Sequence, residues 1–291
     1  MSTPARPAVA GAPAAEVRDV LRRAGRRLPV AEARLLLAHV AAVPVTRLLT
    51  HPPLDAATLE DFEALVRRRL DGTPLQYLTG LAPFRHVEVA VGPGVFIPRP
   101  ETEAMTGWAL ERLAELGERP VVVELCAGSG AISLAIADEC GVADQYAVEL
   151  SETAVEFARR NLIGTGVTLV QGDMAEAFAE LDGTVDLVIA NPPYVPLEAY
   201  DGIPAEVREH EPALALFSGP DGLDAMRVVA GVAARLLRPG GWMCAEHAEV
   251  QHLSAPRVFV DHGGFDRVRD HADLNGRPRF VTARRAPAAS A

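Results

Sequence analysis

Lysine is absent from the chain, so all 28 basic residues are arginine. A Walker-type phosphate site, which needs a lysine, is therefore excluded whatever glycine loops the chain carries. Cysteine is scarce: Cys126, Cys140 and Cys244 are odd in number and form no CxxC pair. Such a set points to reduced thiols in a cytoplasmic protein rather than a disulfide framework or a zinc site. The eight histidines show no metal-ligand spacing. The His-x-Glu at His247 to Glu249 lacks the P-C-x-x-C of zinc deaminases, and no metal is expected. No run of roughly 18 uninterrupted apolar residues occurs, so no membrane span is expected. The opening MSTPARPAVAGAPAAEV has no leucine-rich stretch behind a basic start, which argues against a secretory signal. Residues 1–14 read instead as a disordered tail of Ala and Pro.

What is present is the composition of a soluble globular protein, 49% apolar and 23% charged over 291 residues, enough for one large domain and a small one. The net charge of -11 argues against a chain that wraps duplex DNA, because neutralising phosphates needs a basic face. The charge is uneven. Residues 1–50 hold eight Arg against Glu16, Asp19 and Glu32, about +5, leaving about -16 for the rest. This asymmetry fits either a solvated helix face in an arginine-rich chain or a docking surface for an acidic macromolecule.

Periodicity divides the chain. Residues 15–72 read as a small helical bundle: Val17, Val20, Leu21 and Ala24 recur at helical spacing, and Pro29 suits a first helical turn. Leu59, Phe62, Leu65, Val66 and Leu70 line one face of a helix with Asp55 as N-cap and Gly72 as stop. Residues 73–100 read as a β-hairpin connector, with Val87, Val89 and Val91 at period two and a turn at Gly92-Pro93-Gly94. From 101 to 285, VVVEL, QYAVEL, VTLVQGD, VDLVIA and GGWMCAE are strands separated by helices, which predicts a doubly wound, Rossmann-like α/β domain with a mostly parallel sheet. Residues 286–291 read as a second tail.

Ligands of such folds sit at the carboxyl ends of the strands, and four unusual segments fall there. ELCAGSG, residues 124–130, is a glycine loop between strand and helix, in which Cys126, Ala127, Gly128, Ser129 and Gly130 can approach a ligand closely. Cys126 stands where a dinucleotide fingerprint has its first glycine, so that match fails. Glu149, which is 19 residues after Gly130, ends the next strand where a carboxylate accepts ribose hydroxyls. Asp173 is suited to accept from an adenine amine, or to cap a helix over MAEAFAEL; Met174 is placed to cover the ring. Together these residues suit an adenosine ligand with one carboxylate near the glycine loop and no demand for phosphate, a description that S-adenosylmethionine (SAM) fits.

The fourth segment is Asn191-Pro192-Pro193-Tyr194. Each residue before a proline is pushed into extended geometry, and Pro193 has no N–H to occupy the local carbonyls. The Asn191 side-chain oxygen and the Pro192 carbonyl can then converge on one NH2 group while Tyr194 stacks on a planar amide or base. A planar nitrogen with a delocalised lone pair is a poor nucleophile. Two acceptors on its hydrogens favour a pyramidal nitrogen and stabilise the charge that develops during in-line methyl transfer.

With these segments, PLQYLTG (74–80), GVFIPRPETE (94–103), AGSGAISLAIA (127–137), EPALALFSGPDGLDAMR (211–227) and LRPGGW (237–242) resemble the peptide chain release factor glutamine methyltransferases, the HemK/PrmC family. The likeness runs from about residue 15 to residue 284. It implies a helical N-terminal domain that helps dock the release factor and a SAM-dependent domain that methylates the glutamine of the GGQ segment. By position it implies that residues 126–130, Glu149, Met174 and Asn191 contact SAM, and that Asn191 to Tyr194 hold the glutamine. The resemblance also implies that Phe96, Ile97, Pro98 and Arg99 lie near the site. Cys126 replaces the family's usual glycine, Glu149 its commoner Asp and Met174 a frequent aromatic, while CAEHAEVQ is more polar than the usual EIG-like segment. A glutamine methyltransferase of a ribosomal protein, a DNA adenine-N6 methyltransferase and a SAM-binding scaffold without turnover are the alternatives. A basic groove and a target-recognition segment, which the DNA enzyme needs, are missing. A monomer with no membrane association and no direct DNA binding is expected.

Overall fold

The computed structural model describes residues 16–116, 119–141 and 143–287, so the expected N-terminal tail and all but Ala286 and Pro287 of the C-terminal one lie outside it. The chain divides into two compact units, one ending at Gly80 and the other beginning at Leu81.

The first unit contains α1 (Val17–Ala24), α2 (Val30–Val40), a 3-10 turn (Val45–Thr50), α3 (Ala56–Leu70) and α4 (Leu75–Thr79). The Val17, Val20, Leu21 and Ala24 stripe is wholly buried, and it shares one core with Leu36, Leu37, Phe62 and Val66. Asp55 caps α3 by accepting the Thr58 amide at 2.8 Å, and that hydrogen bond holds its carboxyl below the usual range. Three details differ from the sequence reading. Pro29 stands one residue ahead of α2, and Leu70, at the helix end, is exposed. Residues 75–79 are helical where a hairpin connector was expected; Pro74 precedes that helix and left-handed Gly80 ends it, the ordinary punctuation of a short helix. Of the eight arginines of residues 1–50, Arg27 is spent internally on Glu63 at 2.7 Å, while Glu32 is taken by Arg69 at 2.6 and 3.3 Å.

The second unit opens with an antiparallel hairpin, β1 (Leu81–Phe84) and β2 (Val87–Ala90). Its turn is at Arg85-His86, not at Gly92-Pro93-Gly94; the Arg85 side chain is pinned there by Glu139 at 2.6 and 2.8 Å. The α/β layer follows as α5 (Thr102–Ala114), β3 (Val121–Leu125), α6 (Ala131–Cys140), β4 (Asp144–Glu149), α7 (Glu152–Asn161), β5 (Thr168–Gln171) and β6 (Val185–Ala190). After these come α8 (Ala205–His210), α9 (Asp224–Leu236), β7 (Leu237–Glu246), α10 (Ser254–His262), β8 (Phe265–Ala272) and β9 (Pro278–Arg285). The seven strands run in the order β5-β4-β3-β6-β7-β9-β8, parallel as far as β7 and antiparallel over the last two. The doubly wound, Rossmann-like expectation is met, with an antiparallel edge and α10 in addition.

The central strands are buried on both faces. Val123, Leu125, Val188 and Met243 pack with Met226, Val229 and Ala233 of α9 and Phe259 of α10. Each of these side chains except Ala233 contributes roughly 1.5–3 kcal/mol on burial, so this layer is the frame of the unit. The parallel strands also end level: Leu125 is paired with Val148 and with Ala190, Glu149 with Gln171, and Ala190 with Ala245. The loops that leave β3, β4, β5, β6 and β7 therefore emerge along one sheet edge. Among the described residues, no helix is long and apolar enough to cross a membrane.

Candidate active site

The loops that leave β3, β4, β5 and β6 line one cavity of about 500 Å³. The glycine loop makes its floor. Ala127 donates its amide to Val148 at 3.0 Å and Gly130 donates to Ala127 at 2.8 Å, a tight turn into α6. Cys126 (φ +58°), Gly128 (φ +56°) and Gly130 (φ +78°) are all in the left-handed region. Cys126 thus adopts the left-handed backbone that a glycine takes most readily. A Cβ on Gly128 would meet nothing within 4 Å, so the cavity reaches the main chain there. Gly130 plays another part. Its Cβ would lie 3.2 Å from Leu162, and it is not part of the cavity wall, so it is a packing glycine.

Glu149 ties this loop to the next strand. One carboxylate oxygen accepts the Gly128 amide at 2.8 Å and the other accepts the Ser151 amide at 2.8 Å. Ser151 in turn caps α7 through Ala154 at 3.3 Å, as its position predicts. Both Glu149 oxygens keep a lone pair for a ligand, and the residue lines the cavity. Asp173 also lines it. Asp173 accepts the Ala175 amide at 2.9 Å and holds a turn at residues 174–178 rather than starting a helix. Met174 sits opposite, its sulfur 3.5 Å from the Cys126 sulfur. Burial, reinforced by the Glu149 carboxylate, pushes the Cys126 thiol up, which favours its protonated form.

On the far wall stand Asn191, Pro193 and Tyr194; Pro192 is buried and is not on the wall. Asn191 Nδ2 donates to the Thr102 hydroxyl at 3.2 Å. The Tyr194 hydroxyl donates to Glu246 Oε1 at 3.0 Å, and the Thr102 hydroxyl donates to Glu246 Oε2 at 2.6 Å. The Tyr194 carbonyl accepts from Gln251 Nε2 at 3.0 Å. Burial, then the neighbouring Glu246 carboxylate, pushes the Tyr194 phenol up, so it stays protonated. Of the four residues before this wall, Phe96, Pro98 and Arg99 reach the cavity and Ile97 is in the core. Arg99 pairs with the buried Glu211 and lies 4.8 Å over the Phe96 ring. Beyond the tetrapeptide come a 3-10 turn (Leu197–Gly202) and α8. Ile203, Val207 and Leu214 add an apolar side to the cavity.

Four polar residues of the site escaped the sequence reading: Glu124, Thr102, Glu246 and Gln251. Glu124 accepts the Ser133 amide at 2.9 Å and its hydroxyl, and burial pushes its carboxyl up to about 8. Glu124 and Glu246 each lie at or near the end of an apolar strand, the signal that did single out Glu149. Thr102 and Gln251 carried no signal beyond their presence in the blocks GVFIPRPETE and CAEHAEVQ.

Comparison with known proteins adds to this geometry. The PrmC N-terminal domain family matches residues 14–80, and a methyltransferase domain family matches residues 122–210. The chain is 48% identical over 280 residues to the release factor glutamine methyltransferase of Streptomyces coelicolor, covering 94% of this chain and 98% of that one. It is 44% identical to the protein of the same name from Mycolicibacterium smegmatis, covering 91% and 94%. The 4-amino-L-phenylalanine/4-methylamino-L-phenylalanine methyltransferase of Streptomyces pristinaespiralis is 43% identical over 84% of each chain.

Proposed function

We propose, on the premise that this chain belongs to the release factor glutamine methyltransferase family, that it methylates the side-chain amide nitrogen of the glutamine in the GGQ segment of bacterial peptide chain release factors. The single observation that carries the chemistry is the juxtaposition, in one cavity, of an adenosine-type floor and the Asn191, Pro193 and Tyr194 wall.

The residues fit SAM. The open main chain at Gly128, the N-terminus of α6 beyond it and the spare lone pairs of Glu149 form a cradle for a methionine carboxylate and a ribose. Asp173 and Met174 suit the adenine amine and ring. SAM supplies a methyl group on a sulfonium, which an acceptor nitrogen can take in line. Everything else falls to the protein. Asn191 Oδ1 and the Pro192 carbonyl accept the two amide hydrogens, which draws the nitrogen out of conjugation. Tyr194 stacks on the amide plane and, with Ile203 and Val207, keeps water out. No carboxylate base is needed, because the proton leaves after the methyl has arrived.

The unit that ends at Gly80 is the docking domain in this reading, its Arg residues facing the release factor, and the enzyme is a cytoplasmic monomer with no metal and no direct DNA contact. The test is methyl transfer from labelled SAM with purified release factor, free 4-aminophenylalanine and duplex DNA offered side by side, and mass spectrometry to locate the label. Label on the GGQ glutamine alone is the expected result. Label on the aromatic amine or on adenine would keep the chemistry and overturn the partner. Label on none of the three, with SAM bound, would favour a ribosomal-protein substrate first and an inactive scaffold second.

A further inference from the structure

We propose that Glu246 is a positioning residue that sets the polarity of the catalytic wall: through the Thr102 hydroxyl it fixes which way the Asn191 amide faces, and it holds the Tyr194 ring by its hydroxyl. This inference rests on the role given above to Asn191 and goes beyond it, because it explains why the acceptor oxygen of that amide faces the ligand.

An amide has an oxygen and an NH2 of nearly equal size, so packing alone does not decide which end points into the cavity. Asn191 has to present oxygen to an incoming NH2; presenting its own NH2 would set donor against donor. The protein decides the matter at Thr102, which is 3% exposed. Its hydroxyl has a single proton, and that proton goes to Glu246 Oε2 at 2.6 Å. With that proton committed to Glu246, the Thr102 oxygen meets Asn191 with a lone pair, and only Nδ2 can answer it, at 3.2 Å. The Asn191 oxygen is thereby turned toward the cavity. The second Glu246 oxygen takes the Tyr194 proton at 3.0 Å, so one carboxylate orders both ends of the tetrapeptide.

The backbone makes the carboxylate a fixed reference. Glu246 is 1% exposed and ends β7, whose Ala245 pairs with Ala190 of β6. Sheet register therefore brings Glu246 and Asn191 out of the frame side by side. Glu246 touches neither ligand in this scheme and acts only through Thr102 and Tyr194.

The test compares Glu246→Gln, Thr102→Val, Thr102→Ser and Asn191→Ala with the unaltered protein. The readouts are kcat and KM for whichever acceptor the transfer assay labels, with the Kd for S-adenosylhomocysteine measured separately. Glu246→Gln lets the residue at 246 donate to Thr102, and Thr102→Val removes the relay while keeping its shape. Both are expected to lower kcat by about 100-fold, the scale of losing one oriented transition-state partner, with Kd and KM within about 3-fold. Thr102→Ser keeps the hydroxyl and is expected to stay within about 5-fold of the unaltered kcat. Full activity of Glu246→Gln beside a dead Asn191→Ala would overturn the inference and leave the proposed function standing. So would a Thr102→Ser loss as large as that of Thr102→Val, which marks packing as the cause. Full activity of Asn191→Ala would overturn both.

Discussion

The amide of Gly128 and the carboxylate of Glu149 meet at 2.8 Å, so the loop after β3 and the end of β4 form one hydrogen-bonded unit. Glu149→Gln keeps the size but offers one acceptor oxygen where two are in use, and its NH2 would face the Gly128 or Ser151 amide. A charge-assisted hydrogen bond contributes about 1.5–3 kcal/mol, so affinity for S-adenosylhomocysteine is expected to fall by about 10- to 100-fold. Titration calorimetry checks this. Unchanged affinity would mean that Glu149 shapes the loop without serving the ligand.

Gly222 sits tightly behind the Asn191 to Tyr194 wall. A Cβ there would lie 2.3 Å from the Tyr194 carbonyl and 2.7 Å from Gln251 Nε2, at a φ of +74°. Gly222→Ala is expected to cost about 2 kcal/mol of stability and to move Tyr194, lowering kcat by at least about 10-fold. Gly202→Ala is the control. Nothing lies within 4 Å of that position and its φ is not left-handed, so no change is expected. Thermal unfolding and turnover of the pair distinguish a local clash from a general effect of added bulk.

Glu124 gives the fold a pH dependence of predictable sign. Burial pushes its folded-state carboxyl from 4.5 up to about 8, with the Glu149 charge adding to the rise and the Ser133 hydrogen bonds opposing it. The folded protein therefore holds a proton that the unfolded chain releases. The stability linked to this group is complete below about 4.5 and is lost as pH rises through about 8. Glu124→Gln imitates the protonated form and can still accept both Ser133 bonds. Its unfolding midpoint is expected to fall less than that of the unaltered protein between acid and alkaline pH. Parallel midpoints would show that Glu124 ionises in the folded state at its ordinary pH.

Turnover is expected to weaken on the acid side through Glu246. Burial raises its carboxyl above the ordinary 4.5, helped by Glu101; the Thr102 and Tyr194 hydroxyls and Arg279 oppose the rise. Once protonated, Glu246 becomes a donor toward one of its two partners, and that partner must send its own proton elsewhere. Activity should therefore be full at high pH and fall as pH drops through a value above the usual carboxylate range. A kcat–pH profile checks it, and the limb should vanish in Glu246→Gln. An identical limb in that variant would assign the titration to another group.

The chain's local chemistry was enough to mark the strands that bear the ligand motifs, because a buried parallel strand is an apolar run bounded by turn residues. VVVEL and VDLVIA stand out for that reason, and the glycine loop, Glu149 and the Asn191 to Tyr194 turn stand out because each breaks the pattern at a strand end. The antiparallel edge was not legible. In β8, FDRVRDHA interleaves charged residues with its few apolar ones, since an edge strand faces water over much of its length. The Leu75–Thr79 helix was too short to show a period of its own. Nor could spacing reveal the supports of the catalytic wall. Thr102 and Asn191 are separated by 89 residues, and Tyr194 and Glu246 by 52. A hydrogen bond depends on distance in space, and strand order and register alone bring β6 and β7 together with their ends level. The residues proposed to carry the chemistry were thus written locally; the hydrogen bonds that hold Asn191 and Tyr194 were decided only by the packed sheet.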